Sequence, residues 1–149
     1  MQDINIQMIE SIVKKVIEEQ MNQSQKQHRV VDKSGVIGIK AEKIKPEPFD
    51  TGKAGDKVFL TDLYSLDESP RLGAGIMEME DTTFDWTLNY DEVDYVIDGT
   101  LEIIIDGRKI VGNKGDIILI PKNTKIQFST PNFCRFMYVV YPANWAEQA

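Results

Sequence analysis

The stretch of sequence that decides the fold is Trp86-Thr87-Leu88-Asn89-Tyr90-Asp91-Glu92-Val93-Asp94-Tyr95-Val96-Ile97-Asp98-Gly99. Its second half predicts a β-strand that begins after an acidic residue and ends before a glycine. Side chains along a strand alternate between its two faces, so Glu92, Asp94 and Val96 share one face. The sequence therefore predicts two carboxylates side by side on the same face of a hydrophobic strand.

The chain on both sides of this stretch also reads as short strands joined by turns. Candidate strands cover residues 36–39, 57–63, 72–80, 83–88, 93–97, 101–105, 108–111, 117–120, 125–129 and 135–141. Asp106-Gly107 lies between two apolar runs and supplies the positive φ angles of a tight hairpin. Asn113-Lys114-Gly115-Asp116 marks a second turn. Many strands with turn chemistry and no helices between them predict an all-β sandwich or small barrel.

The N-terminal region follows a different pattern. Apolar residues recur at helical spacing over residues 4–21, with Asp3 or Asn5 available as the cap. We therefore predict an amphipathic helix within residues 1–22, a polar linker over 23–33 and a barrel domain over 34–149. The anchors of the apolar side of the helix are Ile9, Val13, Val16 and Ile17. Such a helix cannot bury that side alone, so it must dock on its own barrel, pair with a second copy or bind another protein.

Composition excludes several classes of function. The 149 residues carry 24 acidic and 17 basic side chains, a net charge of −7 that argues against binding nucleic acid. One histidine, His28, lies in the polar linker and the one cysteine, Cys134, lies in a strand, so histidine-assisted nucleophilic catalysis within one chain is nearly excluded. No segment has the length of a membrane span and the N-terminus lacks a secretory signal, so we expect a cytoplasmic protein without its own route to the membrane.

Two motifs resemble those of the cupin superfamily. Glu92 followed by Gly99 resembles the first cupin motif, and the run from Gly115 through Pro121 to Ile126 resembles the second. The histidines that cupins use as metal ligands are absent, because Trp86, Leu88 and Ile126 stand at their positions. The resemblance implies an RmlC-like antiparallel barrel, or jelly roll. Without a histidine-ligated cupin metal, a dioxygenase or isomerase with three histidines and a glutamate is excluded.

A narrower resemblance covers most of the barrel, from about Asp56 onward. Phe84-Asp85-Trp86-Thr87-Leu88-Asn89-Tyr90-Asp91-Glu92-Val93-Asp94 and the ending Tyr141-Pro142-Ala143-Asn144-Trp145 are similar to the EutQ family of ethanolamine-utilisation proteins. The resemblance implies a place beside a bacterial microcompartment that degrades ethanolamine. It also implies an acetate kinase that uses ATP and Mg²⁺ or another divalent cation. Short tethered helices are similar to peptides that direct cargo into such compartments, so the helix is expected to bind shell or enzyme proteins.

The predicted site lies inside the barrel. We expect Glu92 and Asp94 to be catalytic and Glu92, with Asp94 and Glu78, to hold the cation. The residues expected to line the pocket are Trp86, Leu88, Tyr64, Tyr90, Ile126, Phe128 and Arg135. Burial and a neighbouring like charge raise the pKa of each carboxylate. In the alternative, Asp94 ties down a loop and Glu92 pairs with an arginine such as Arg135.

Two functions remain open from the sequence. The first is an acetate kinase that converts acetate and ATP to acetyl phosphate and ADP. The second is a non-catalytic barrel that serves as a binding or assembly factor for microcompartment shell or cargo. In either case we expect a homodimer with a small-molecule ligand in the barrel.

Overall fold

A computed structural model of the chain describes residues 5–148, except for the side chains of residues 22–27. The chain forms two compact units, the first ending at Ile44 and the second beginning at Lys45. The expected boundary between residues 33 and 34 therefore lies inside the first unit. The boundary lies later in the chain than expected because a short hairpin follows the helix. Its two strands pair with each other and so belong to the first unit.

The first unit consists of a helix and this hairpin. Helix α1 spans Ile6–His28, strand β1 spans Arg29–Val31, strand β2 spans Ile37–Ile39, and a 3-10 turn spans Ala41–Lys43. The side chain of Asn5 accepts a hydrogen bond of 3.0 Å from the backbone N–H of Gln7, so Asn5 is the cap. The other candidate cap, Asp3, lies outside the described residues.

The predicted polar linker is wrong in its first part, because residues 23–28 continue α1. This stretch contains neither glycine nor proline, and its glutamines and lysine are good helix formers. Once a helix is nucleated, each added residue contributes a hydrogen bond, so an apolar face is not needed for it to continue.

The apolar side of α1 is exposed to solvent. Its four anchors, Ile9, Val13, Val16 and Ile17, have between 46% and 53% of their surface exposed. Across residues 5–148 we find no helix that is both long enough and apolar enough to span a membrane.

The second unit is built from one antiparallel sheet of seven strands. The strands are β3 (Glu47–Pro48), β4 (Val58–Asp62), β5 (Gly73–Leu88), β6 (Asp91–Ile105), β7 (Arg108–Asn113), β8 (Ile117–Ile120) and β9 (Thr124–Tyr141). A 3-10 turn at Trp145–Glu147 follows β9. The strand order is β3-β4-β5-β9-β6-β7, and β8 pairs with β6. The predicted all-β architecture with an N-terminal helix is confirmed.

Three of these strands are longer than predicted, because each joins two predicted strands. In β5 the register shifts between Glu80 and Thr82, around Asp81 with a φ of 37°. In β6 it shifts between Val96 and Asp98 and again between Gly99 and Glu102. Such irregularities bend a strand without ending its pairing, and they let one sheet curve around its own core.

The core lies on the concave face of this sheet. Its largest cluster of buried side chains includes Val58, Met77, Met79, Phe84, Leu88, Val96, Leu101, Ile103, Phe128, Phe136 and Val140. Cys134, also fully buried, belongs to the same cluster, as expected of a small apolar residue. The predicted hairpin is confirmed at Asp106 and Gly107, which have φ angles of 49° and 76°.

Candidate active site

The two predicted carboxylates lie inside the barrel. Strand β6 runs between β8 and β9, with Glu92 opposite Val140 and Asp94 opposite Tyr138. Glu92 is 5% exposed and Asp94 is fully buried, while the residues that alternate with them are exposed. The inward orientation expected from strand parity is confirmed.

Buried carboxyl groups usually have hydrogen-bond donors, and this pair does not. Within the described residues, no group outside the pair forms a hydrogen bond with Glu92 Oε2 or with either side-chain oxygen of Asp94. The two carboxyl groups lie close enough for one, when protonated, to donate to the other. Such a pair retains a proton more readily than an exposed carboxyl does.

The pKa of each carboxyl is raised by this environment. Burial raises the pKa of Glu92 to about 7, against the opposing effect of its hydrogen bond with Asp94. Burial also raises the pKa of Asp94 well above its usual value, and the charge of Glu92 raises it further. Two neighbouring buried acids whose pKa values are both raised are typical of a functional site.

Glu92 forms part of the wall of a small cavity. The other residues that line this cavity are Phe49, Leu60, Met77, Phe84, Trp86, Tyr90, Phe128, Tyr138 and Trp145. The space that the centre of a water molecule can reach there is about 20 Å³, enough for one or two waters. Three residues predicted to line the pocket, Trp86, Tyr90 and Phe128, are therefore in place. Trp86 Nε1 donates a hydrogen bond of 2.8 Å to the hydroxyl of Tyr90.

Four other predicted pocket residues lie elsewhere. Leu88 and Ile126 are buried in the core, and neither lines this cavity. Tyr64 lies in the bend after β4, since that strand ends at Asp62.

Arg135 also lies away from the cavity. It pairs with Glu78, with 2.5 Å between Arg135 Nη1 and Glu78 Oε1. The two residues face each other across β5 and β9, and each lies next to a buried residue, so parity places both on the outer face of the sheet. The expected pairing of Arg135 with Glu92 is wrong for the same reason, and so is the expectation that Glu78 joins the acidic pair.

Several residues in or beside the cavity were not identified from the sequence. Asp62, at the end of β4, accepts a hydrogen bond of 2.6 Å from the Tyr138 hydroxyl and a weaker one of 3.4 Å from Trp145 Nε1. Tyr138 lies across Gly75, where an added Cβ would come within 2.0 Å of its ring and hydroxyl. A glycine opposite a tyrosine in neighbouring strands is the one sequence signal for this arrangement.

A larger cleft lies outside the cavity and shares part of its wall. Phe49, Trp86, Tyr90 and Trp145 line both spaces. The cleft has a volume of about 430 Å³ and a rim of polar side chains that includes Thr51, Asp85, Thr87 and Gln148. These four aromatic side chains thus border both the small cavity beside Glu92 and the open cleft.

The acidic pair offers a divalent cation two carboxylates and no more. In the described part of the chain, no three His, Cys, Asp or Glu side chains come together as a metal site. Mg²⁺ is commonly held by one or two carboxylates, with water and substrate phosphates as its remaining ligands. Glu92 and Asp94 match such a site in the type and number of their carboxylates.

Comparison with known proteins identifies the family. A family model described as ethanolamine utilisation protein EutQ matches residues 4–147. The protein named Acetate kinase EutQ from Clostridioides difficile (strain 630) is 52% identical over 152 residues, which cover 98% of this chain and 97% of that protein. The chain belongs to the EutQ family.

The chain covers a different share of the length of each relative. It is 36% identical to the Acetate kinase EutQ of Escherichia coli (strain K12), covering 93% of this chain and 63% of that protein. The solved structure of the Clostridium difficile EutQ protein has a TM-score of 0.79 at 58% identity, over 81% of this chain and 90% of that one. A cupin superfamily protein from Desulfitobacterium hafniense has a TM-score of 0.54 at 14% identity, over 69% and 87% of the two chains. The fold is therefore that of a cupin, as the motifs around Glu92 and Gly115 indicate.

Proposed function

We propose that the chain is an acetate kinase of ethanolamine utilisation, which transfers the γ-phosphoryl group of ATP to acetate. The names of the EutQ relatives support this activity. The observation in the molecule that carries the proposal is the buried pair of Glu92 and Asp94, of which Glu92 lines a small cavity with aromatic walls. Enzymes place carboxylates in such surroundings when the carboxylates act on a cation or a proton.

In this reaction a carboxylate oxygen of acetate forms a bond to the γ-phosphorus. The bond from that phosphorus to the oxygen bridging to the β-phosphate breaks, and ADP leaves with the electron pair. Catalysis of such a transfer depends mainly on positioning and on neutralising negative charge. Glu92 and Asp94 would hold the divalent cation that supplies this neutralisation, and Trp86 and Tyr90 would shape the space beside them.

The activity is tested by incubating the purified protein with ATP, acetate and Mg²⁺ and measuring acetyl phosphate as its hydroxamate. We expect acetyl phosphate to form in proportion to the amount of protein, and to stop forming when EDTA removes the cation. No acetyl phosphate above the rate without protein would contradict the kinase and favour the second candidate below.

The second candidate is a non-catalytic barrel that binds or assembles microcompartment shell or cargo. It is favoured by the walls of the two spaces, since no Lys, Arg or His among the described residues lines the cavity or the cleft. Phosphoryl transfer usually employs such groups around the phosphates. The same assay separates the candidates, because a binding barrel forms no acetyl phosphate.

We propose that α1 attaches the protein to a bacterial microcompartment, through shell or enzyme proteins. Its exposed apolar side supports this, because a helix of this kind binds in an apolar groove through residues three and four positions apart. The test compares Val13→Asp with Ser11→Asp, which lies on the opposite side of the helix. In cells that make the shell, the full chain fused to a fluorescent protein should form puncta with Ser11→Asp and spread through the cell with Val13→Asp. Puncta in both variants would contradict this role for the apolar side of α1.

We also propose a homodimer formed through the outer face of β6 and β8. Val93, Tyr95, Ile117 and Leu119 are adjacent there and are between 38% and 68% exposed. Contiguous exposed apolar side chains of this kind mark protein interfaces. Sedimentation equilibrium should give twice the chain mass of 17.0 kDa, and Leu119→Glu should reduce it to one chain. A monomer in the unaltered protein would contradict the dimer.

A further inference from the structure

The cavity has one carboxyl group in its wall, that of Glu92, and no basic side chain among the residues that line it. Glu92 and Asp94 are at least nine-tenths buried, and the described residues outside the pair give three of their oxygens no hydrogen-bond partner. Of these two residues only Glu92 lines the cavity, and the other lining side chains are aromatic or aliphatic, with the hydroxyls of Tyr90 and Tyr138 among them. A buried carboxylate without a partner is unfavourable, so the cavity is chemically suited to a cationic guest with N–H donors.

The aromatic walls have the geometry that favours such a guest. The Phe49 and Trp86 rings are 5.9 Å apart at an angle of 67°, and the Trp86 and Trp145 rings are 6.3 Å apart at 59°. The Tyr90 and Trp145 rings are 5.8 Å apart at 55°. Rings packed at steep angles form a rigid aromatic wall, and an ammonium group within about 6 Å of a ring centroid is attracted by the ring.

The size of the cavity restricts the guest to a small head group. About 20 Å³ of reachable space accommodates a primary ammonium, whereas a trimethylammonium group is several times larger. The cavity shares Phe49, Trp86, Tyr90 and Trp145 with the cleft of about 430 Å³. A ligand with its head in the cavity therefore has room for the rest of its chain outside.

We propose that this cavity binds the ammonium head of a small primary amine, with the N–H groups donating to Glu92 and the aromatic rings facing the charge. The amine and the divalent cation proposed above both require Glu92, so each excludes the other. The proposal does not rest on the kinase activity, because amine binding needs neither ATP nor acetate.

The chain contains its own reporters for the test. Its two tryptophans, Trp86 and Trp145, both line the cavity, so intrinsic fluorescence reports on whether it is occupied. The probe is ethanolammonium chloride at about pH 8, where a primary amine is protonated, with EDTA and without nucleotide. We expect a saturable change, and none with ethylene glycol, a neutral molecule of the same size, or with choline. Equal responses to ethylene glycol or to choline would overturn the proposal.

Two variants locate the binding. Glu92→Gln should weaken binding about tenfold or more, because it removes a charge-assisted hydrogen bond. Glu80→Gln, the same change at an exposed position of β5, should leave binding unaltered. If Glu92→Gln does not fold, Phe49→Leu tests the aromatic wall, with an expected loss of about threefold. Unaltered affinity in whichever of these two variants folds would overturn the proposal.

The amine titration and the acetyl phosphate assay fail independently. Saturable binding without acetyl phosphate would leave the amine site standing and reject the kinase. Acetyl phosphate formation without saturable amine binding would leave the kinase standing and reject the amine site.

Discussion

Helix α1 and the barrel cavity are opposite in character. The helix exposes apolar side chains such as Val13 to solvent, whereas the barrel buries the polar side chains of Glu92 and Asp94 away from it. Each arrangement is unfavourable for the chain by itself, since exposed apolar surface and buried unpartnered carboxyls both raise its free energy. The helix is therefore suited to a protein partner, and the cavity to a small polar or cationic ligand.

The two regions also differ in what holds them in shape. The first unit consists of one helix, a two-stranded hairpin and a short turn. The cavity is enclosed by side chains from β4, β5, β6 and β9 and by Trp145 beyond them. Substitutions in the cavity are therefore expected to affect folding strongly, and substitutions on the apolar side of α1 only weakly.

The largest effect is expected at Gly75. An alanine there would bring Cβ within 2.0 Å of the Tyr138 ring and hydroxyl, so the ring must move and its hydrogen bond to Asp62 breaks. We expect Gly75→Ala to lower the free energy of unfolding by about 3 kcal/mol. Urea denaturation followed by tryptophan fluorescence measures it. Gly38→Ala is the control, since its Cβ would meet no atom within 4 Å. Equal stabilities of the two variants would show that the Tyr138 ring does not need the space left by the missing side chain at Gly75.

The next effect is a dependence of stability on pH. The unfolded pKa of Glu92 is 4.5 and the folded pKa is about 7, so between these values the folded state binds more protons. The stability that this provides is fully present below about pH 4.5 and is lost as the pH rises through about 7, on the order of 3 kcal/mol in all. The raised pKa of Asp94 acts in the same direction.

Unfolding measured across this range should therefore show the unaltered protein losing stability relative to Glu92→Gln as the pH rises. Glu80→Gln should follow the unaltered protein. If Glu92→Gln has the same pH profile as the other two, the burial of Glu92 has no effect on its titration.

The smallest effect on stability is expected from a substitution on the exposed apolar side of α1. Val13 is 50% exposed, so Val13→Asp should change the free energy of unfolding of the barrel by less than about 0.5 kcal/mol. Tryptophan fluorescence reports this unfolding because both tryptophans belong to the second unit. A loss of unfolding free energy comparable to that of Gly75→Ala would mean that the apolar side of α1 is part of a folded core.

The strands could be predicted well because their signals are local. Alternation placed Glu92, Asp94 and Val96 inward, and Asp106-Gly107 fixed a hairpin. The polar residues after Met21 predict a linker, whereas α1 continues to His28. Backbone propensity, which depends on the absence of glycine and proline, decided that segment instead.

The site could be predicted only in part, since a cavity is assembled from distant positions. Parity along β6 identified Glu92 and parity along β5 identified Trp86, but Asp62, Tyr138 and Trp145 meet only through strand order and register. Arg135 was misplaced because its partner is set by pairing across β5 and β9. Residue types alone do not show which carboxylate lies opposite an arginine.

We propose above that the protein acts on its substrates at the buried carboxyl of Glu92. The most direct test is the rate of acetyl phosphate formation by the unaltered protein, Glu92→Gln and Glu80→Gln under saturating ATP, acetate and Mg²⁺. We expect Glu92→Gln to lose at least about a hundredfold in kcat while remaining folded, and Glu80→Gln to keep the full rate. Full activity in folded Glu92→Gln would contradict the claim.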